Sequence, residues 1–336
     1  MEVHFMKIRM IPTHNDPLGT VRKILTTLWE KNNLERVLLP LNGNAEEPGP
    51  KIVKDKEQIN RFNPFTPLMP INSAQLIPEL IHNEGPVAAV LRPCELRTLD
   101  GMIRLNQLNT ENLITICVDC LGTLPSDEFE WRAQRKGSPK GLTQEALQFA
   151  RQGGIVPYRY RAACQICESP QASQANLNIA VLGLPVRQNI IIKTQSNDST
   201  QQLLQDVTIP LDKDLLTQHH RVIARLSERG QNTRQRIFAG LVGVLPNNID
   251  SLMEPLRGCA DCRICFDNCP MCTSEYPRKD PSGEFNRRDV INWLVSCSEC
   301  GICEQSCPKH LPLTIIFGYI RDQLQEMREE KTNGGT

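Results

Sequence analysis

Along the first half of the chain the apolar positions switch between a period of two and a helical period. Residues 3–11 (VHFMKIRMI) alternate as a strand does, and 17–31 (PLGTVRKILTTLWEK) place apolar side chains on one helical face. The apolar run 36–42 (RVLLPLN) ends in turn residues and predicts a strand. Further strands are predicted at 87–92 (VAAVLR) and 112–118 (NLITICV), with helices at 73–84 and 94–108. In the first of these helices Ser73 suits the N-cap, while Pro78 is awkward inside it. After a basic, loop-rich stretch, 177–184 (LNIAVLGL) and 189–194 (NIIIKT) add two strands. Strands alternating with helices predict an α/β layer built on a mostly parallel sheet.

From about residue 200 the helical period takes over. Residues 200–207, 219–245 and 248–258 read as helices, the last with Asn248 or Asp250 as cap. DVINWLVS leads a helix into a cysteine run, and PLTIIFGYIRDQLQEMREEK forms a last helix before a frayed KTNGGT end. The organisation expected is an α/β domain over 1–198, a helical connector over 199–257 and a mainly α-helical domain over 258–330. A chain of 336 residues has room for these parts. Its 38 basic and 38 acidic residues cancel, which argues against nucleic acid or an anionic membrane as main partner. No apolar run is long enough to span a membrane, and the start lacks a secretory pattern. A soluble, cytoplasmic protein is the expectation.

The fourteen cysteines change this picture. In a reducing compartment, thiols in such number point to metal rather than disulfides. CADCRICFDNCP (259–270) and CSECGICEQSCP (297–308) are both C-x2-C-x2-C-x3-C-P, the spacing that holds 4Fe-4S cubanes. Three thiolates of each run surround one cube, and the fourth reaches to the other. This assigns Cys259, Cys262, Cys265 and Cys307 to one cluster, and Cys297, Cys300, Cys303 and Cys269 to the second. Pro270 and Pro308 turn the chain away. The blander alternative, two zinc sites, prefers ligand pairs well separated along the chain and fits two identical runs poorly. Cys272 is left over.

Five cysteines lie upstream. Cys94 follows a strand at the mouth of a helix, where the dipole favours a thiolate, and Cys120 ends the next strand. They share the carboxyl edge where α/β sheets bind ligands. Cys164 and Cys167 (CQIC) add two more thiols, so a third cubane could be drawn from three loops. A zinc-ribbon-like pairing of Cys117/Cys120 with Cys164/Cys167 is the alternative.

The segments VAAVLRPCELRTLDGMIRLNQL, ITICVDCLG and CQIC followed by ANLNIAVLG resemble the β subunits of coenzyme F-420-reducing hydrogenase and dehydrogenase, a family that includes formate dehydrogenase β subunits. The resemblance covers about 80–190 well and the first 80 residues loosely. It implies a 4Fe-4S cluster on Cys94, Cys120, Cys164 and Cys167 beside a flavin, FAD, with Cys117 a core thiol. The family's N-terminal ferredoxin-like cysteines are missing, since none precedes Cys94, and no Gly-rich dinucleotide fingerprint is present.

Other residues carry less. Glu95 and Arg92 could orient the Cys94 loop, form an ion pair or bond a flavin. Asp119 is read as a strand-end cap that could tune a cluster, His219 and His220 as solvated, and RAQRKGSPKG (132–141) as a basic solvated loop that could dock an acidic partner or a phosphate. His310 could donate to a cluster sulfur or stand exposed. The function expected is single-electron transfer as an iron–sulfur subunit of an anaerobic hydrogenase, formate dehydrogenase or heterodisulfide-reductase-like complex, partnered by other redox subunits. The alternatives are a flavin subunit that itself oxidises or reduces a deazaflavin or nicotinamide, and a zinc-binding structural protein.

Overall fold

The computed structural model describes residues 7–42, 48–106, 108–153, 159–194, 207–241, 243–244, 246–257, 259, 262–272 and 277–333. Seven strands form one sheet: β1 (Lys7–Pro12), β2 (Arg36–Leu41), β3 (Gly49–Val53), β4 (Val87–Leu91), β5 (Leu113–Val118), β6 (Leu177–Ala180) and β7 (Asn189–Thr194). Their order is β1-β7-β6-β5-β4-β2-β3. β2, β4, β5 and β6 run parallel in the middle, and β3 closes one edge antiparallel. At the other edge β7 lies between β6 and β1 and pairs antiparallel with both. The fold is thus the expected α/β layer with a mostly parallel centre. The central strands read as unbroken apolar runs because both faces are covered.

The helices are α1 (Pro17–Lys31), α2 (Ile77–Ile81), α3 (Pro93–Asn106), α4 (Ser126–Arg135), α5 (Pro139–Phe149), α6 (Ala162–Gln165), α7 (Lys213–Leu241), α8 (Ile249–Arg257), α9 (Ile264–Asp267), α10 (Arg287–Val295), α11 (Ile302–Gln305) and α12 (Leu313–Asn333). Successive residues of a strand point to opposite faces, so the sheet feeds two cores. Val37, Leu39, Ala88, Val90, Ile116 and Val118 join α1, α4, α5 and the first half of α7 on one face. Leu38, Val87, Ala89, Leu91 and Cys117 join α3 and the C-terminal helices on the other, around Phe266, Trp293 and Phe317. The cysteine-rich region therefore shares a continuous core with the sheet rather than hanging from it.

Several expectations change in detail. The helix at 73–84 is a 3-10 turn over Ser73–Leu76 followed by α2, because Pro78 is accommodated only in a first helical turn. The strand at 177–184 stops at Ala180, since the backbone N–H groups of Val181 and Leu182 turn to Asp119. The helix at 219–245 spans Lys213–Leu241 instead. The stretch 132–141 is not a loop: it is the end of α4 and the start of α5, with Arg132 bonded to Glu128 one turn back. Residues 3–6 and 200–206 lie outside the described residues. No described helix is long and apolar enough to cross a membrane.

Candidate iron–sulfur centres

All fourteen cysteines are free thiols. In the C-terminal region Cys265 has Cys259, Cys307 and Cys262 as its charged-state neighbours. Cys297 faces Cys269 and Cys300, and Cys303 faces Cys297, Cys300 and Cys269. Each run thus stands with the last cysteine of the other. Burial first, then mutual repulsion, pushes the Cys265 and Cys297 thiols up to about 12. Cys269 is the exception: a hydrogen bond from the Cys272 thiol brings it down to about 7 despite burial. Cys272 is accordingly raised, and it sits beside Cys269, Cys265 and Cys297.

The N-terminal thiols meet at the carboxyl edge of the sheet. Cys94 opens α3 directly after β4, and Cys120 follows β5, its N–H donating to the Pro170 carbonyl at 2.9 Å. Cys164 lies in α6 and Cys167 just beyond it, in the crossover to β6. All four line one cavity of about 300 Å³, and Cys300 of the second C-terminal run lines it too. Burial raises Cys94, Cys167 and Cys120, the last to about 12. At Cys164 burial also acts upward, but the Arg161 charge and hydrogen bonds from Thr123 outweigh it and hold the thiol below its ordinary value. The Thr123 hydroxyl lies 3.1 Å from Cys164 Sγ and an Arg161 nitrogen 3.9 Å away. Cys117, by contrast, points into the apolar core and is wholly buried.

The second C-terminal run is locked against this edge. Gly301, in the left-handed region at φ +71°, brings its backbone against Ala163, and a side chain there would overlap the Ala163 methyl. Thr98 and Ser298 share a hydrogen bond of 2.6 Å, and Arg97 donates to the carbonyls of Ser169 and Ser298. Arg161 donates to Gln305, whose amide reaches the Met69 carbonyl. From α7, Gly230 packs on the Cys167 carbonyl, where any Cβ would clash with backbone.

The flanking residues hold loops. Glu95, buried, accepts from Ser73 and from the Arg92 N–H, while the Arg92 guanidinium donates to the Thr66 and Leu68 carbonyls. Asp119 accepts three backbone N–H groups, from Ala172, Val181 and Leu182. His219 is 0 % exposed, contrary to the solvated reading. Its Nδ1 lies 2.8 Å from the Leu182 carbonyl, which fixes the proton there, and its Nε2 faces the Lys193 ammonium at 3.4 Å. His310 is exposed in the turn after Cys307.

Desolvated thiols that repel one another when ionised need a compact positive core to hold them as thiolates, and iron–sulfur cubanes are held by four such ligands. Among the described residues, no three His, Cys, Asp or Glu side chains are placed to bind a single metal ion. A four-iron group gives each thiolate its own iron, so its ligands need not converge on one point. The donor chemistry of all three sets fits it.

Residues 253–311 match the family of 4Fe-4S dicluster domains. The match spans both four-cysteine runs. No curated protein matches the sequence. Among solved structures, a chain of the F-420-reducing NiFe hydrogenase complex from Methanosarcina barkeri superposes with a TM-score of 0.50 at 11 % identity, over 69 % of this chain and 92 % of that one. The two share a fold. Arg161, Thr123 and the Gly301–Ala163 contact carry no motif. The sequence's only hint is that Arg161 stands three residues before the C-x2-C pair.

Proposed function

We propose that the chain is an electron-transfer subunit of an oxidoreductase complex and holds three 4Fe-4S clusters in a row. The first is on Cys259, Cys262, Cys265 and Cys307, the second on Cys269, Cys297, Cys300 and Cys303, the third on Cys94, Cys120, Cys164 and Cys167. The observation that carries this reading is the continuity of the thiols. Cys265 borders the second set near Cys303, and Cys300 of the second set lines the cavity of the third. A bound 4Fe-4S cluster accepts and releases one electron at a time.

The protein's part is to order the row. Cys262 is exposed at the outer end, where a redox partner subunit could approach, while the inner thiols are part-buried and line a cavity bordered by α3, α6 and α7. Free thiols throughout suit a reducing compartment, the cytoplasm in this reading. The test is anaerobic purification with metal, sulfide and flavin analysis. The reading expects a brown protein with acid-labile sulfide and a broad visible absorbance that bleaches on reduction. A colourless zinc protein would overturn it. Released flavin would instead support the subunit reacting directly with a two-electron carrier.

A further inference from the structure

Arg161 is only 7 % exposed, yet no ion pair among the described residues includes it. Its Nε donates to the Thr123 hydroxyl at 2.8 Å, one terminal nitrogen reaches Gln305 at 3.2 Å, and the other faces Met69 Sδ at 3.2 Å and Cys164 Sγ at 3.9 Å. None of these partners carries a compensating carboxylate. A guanidinium cannot shed its proton, so its burial implies a negative group nearby. It lines one cavity with Cys164 and Cys94 of the N-terminal set and Cys300 of the second C-terminal set, and these sulfurs, once ionised, are the negative charges that act on it. The guanidinium therefore borders members of two of the three thiol sets. The neighbours of Cys265, in the remaining set, are other thiols and backbone.

We infer that Arg161 is a positioning residue that sets reduction potential, a single buried cation shared by the N-terminal centre and the second dicluster centre. The inference rests on the three-cluster reading above. Reduction adds one negative charge to a centre, and a fixed cation in a low-dielectric site favours the more negative state, so Arg161 raises the potential of both neighbours. Its own protonation does not change. Electrons delivered at the exposed end are thereby drawn toward the inner pair, and the first centre, none of whose cysteines lines the cavity of Arg161, is an internal reference.

The experiment is an EPR-monitored redox titration of the full chain, with signals assigned by subtraction using Cys164→Ser and Cys265→Ser, and with iron counted in each sample. Arg161→Gln should shift the N-terminal and second centres to lower potential and leave the first unmoved. Arg161→Lys, which keeps the charge, should restore most of the shift. If the glutamine variant loses the N-terminal cluster, the second centre alone should still fall relative to the first. Three present but unmoved centres, a shift of the N-terminal centre alone, or an equal shift in all three would overturn the inference. A wild-type chain with only two clusters would instead overturn the reading beneath it.

Discussion

The C-terminal and N-terminal thiol sets solve the same problem with different means. In the C-terminal region all eight thiols come from two tight runs, the first three of each standing with the last cysteine of its twin, and the neighbours of Cys265 and Cys303 are mainly other thiols. The N-terminal set is drawn from three loops, and each thiol there has an arginine in its surroundings: Arg97 for Cys94 and Cys167, Arg92 for Cys120, Arg161 for Cys164. Where ligands are close in sequence, local turns can bring them together. Where they are distant, the tertiary fold must both assemble them and supply charge, and that makes the N-terminal set the more fragile one.

The sharpest way to break the comparison is to disturb the packing that assembles the distant ligands. Gly230→Val drives a branched side chain into the Cys167 carbonyl. We expect it to abolish the N-terminal centre, lowering iron by about four per chain while the C-terminal signals persist. Loss of all iron would mean that the two regions do not load independently. Next comes the clamp between α7 and the second run. Arg234, 6 % exposed, pairs with Asp322 and bonds Glu299. Arg234→Met leaves both acids to Arg321 alone and should lower unfolding stability by about 2 kcal/mol in denaturant melts, below the range for a wholly buried pair because the acids are part exposed and keep that second cation. Asp119→Asn weakens an acceptor of three backbone N–H groups beside Cys120 and should cost about 1–2 kcal/mol. Its iron loss, if any, should be confined to the N-terminal centre. At the bottom of the scale, Arg287→Ala removes an exposed pair with Asp250 and should change neither stability nor iron content.

The same contrast explains what could be read from sequence. The central strands were legible because Val87–Leu91 and its neighbours are apolar on both faces. β3 was not, since GPKIV is a half-buried edge strand opening with glycine and proline. α4 was hidden by its charges, as SDEFEWRAQR buries only Phe129 and Ala133. The two four-cysteine runs were legible because spacing encodes them. The meeting of Cys94 and Cys120 with Cys164 and Cys167 came from strand-edge reasoning and a family resemblance, not from spacing. Arg161 has little signal in the sequence because Gln305, one of its partners, lies 144 residues away. The burial of His219 is hidden for the same reason: Leu182 and Lys193, which its ring nitrogens face, are distant in sequence.

The most direct measurement is iron and acid-labile sulfide per chain in anaerobically prepared wild type and Cys164→Ser, side by side. Three centres predict about twelve irons falling to about eight in the variant, with the residual EPR signals unchanged. About eight in both proteins would show that the inner thiols hold no cluster and that the row ends at Cys300.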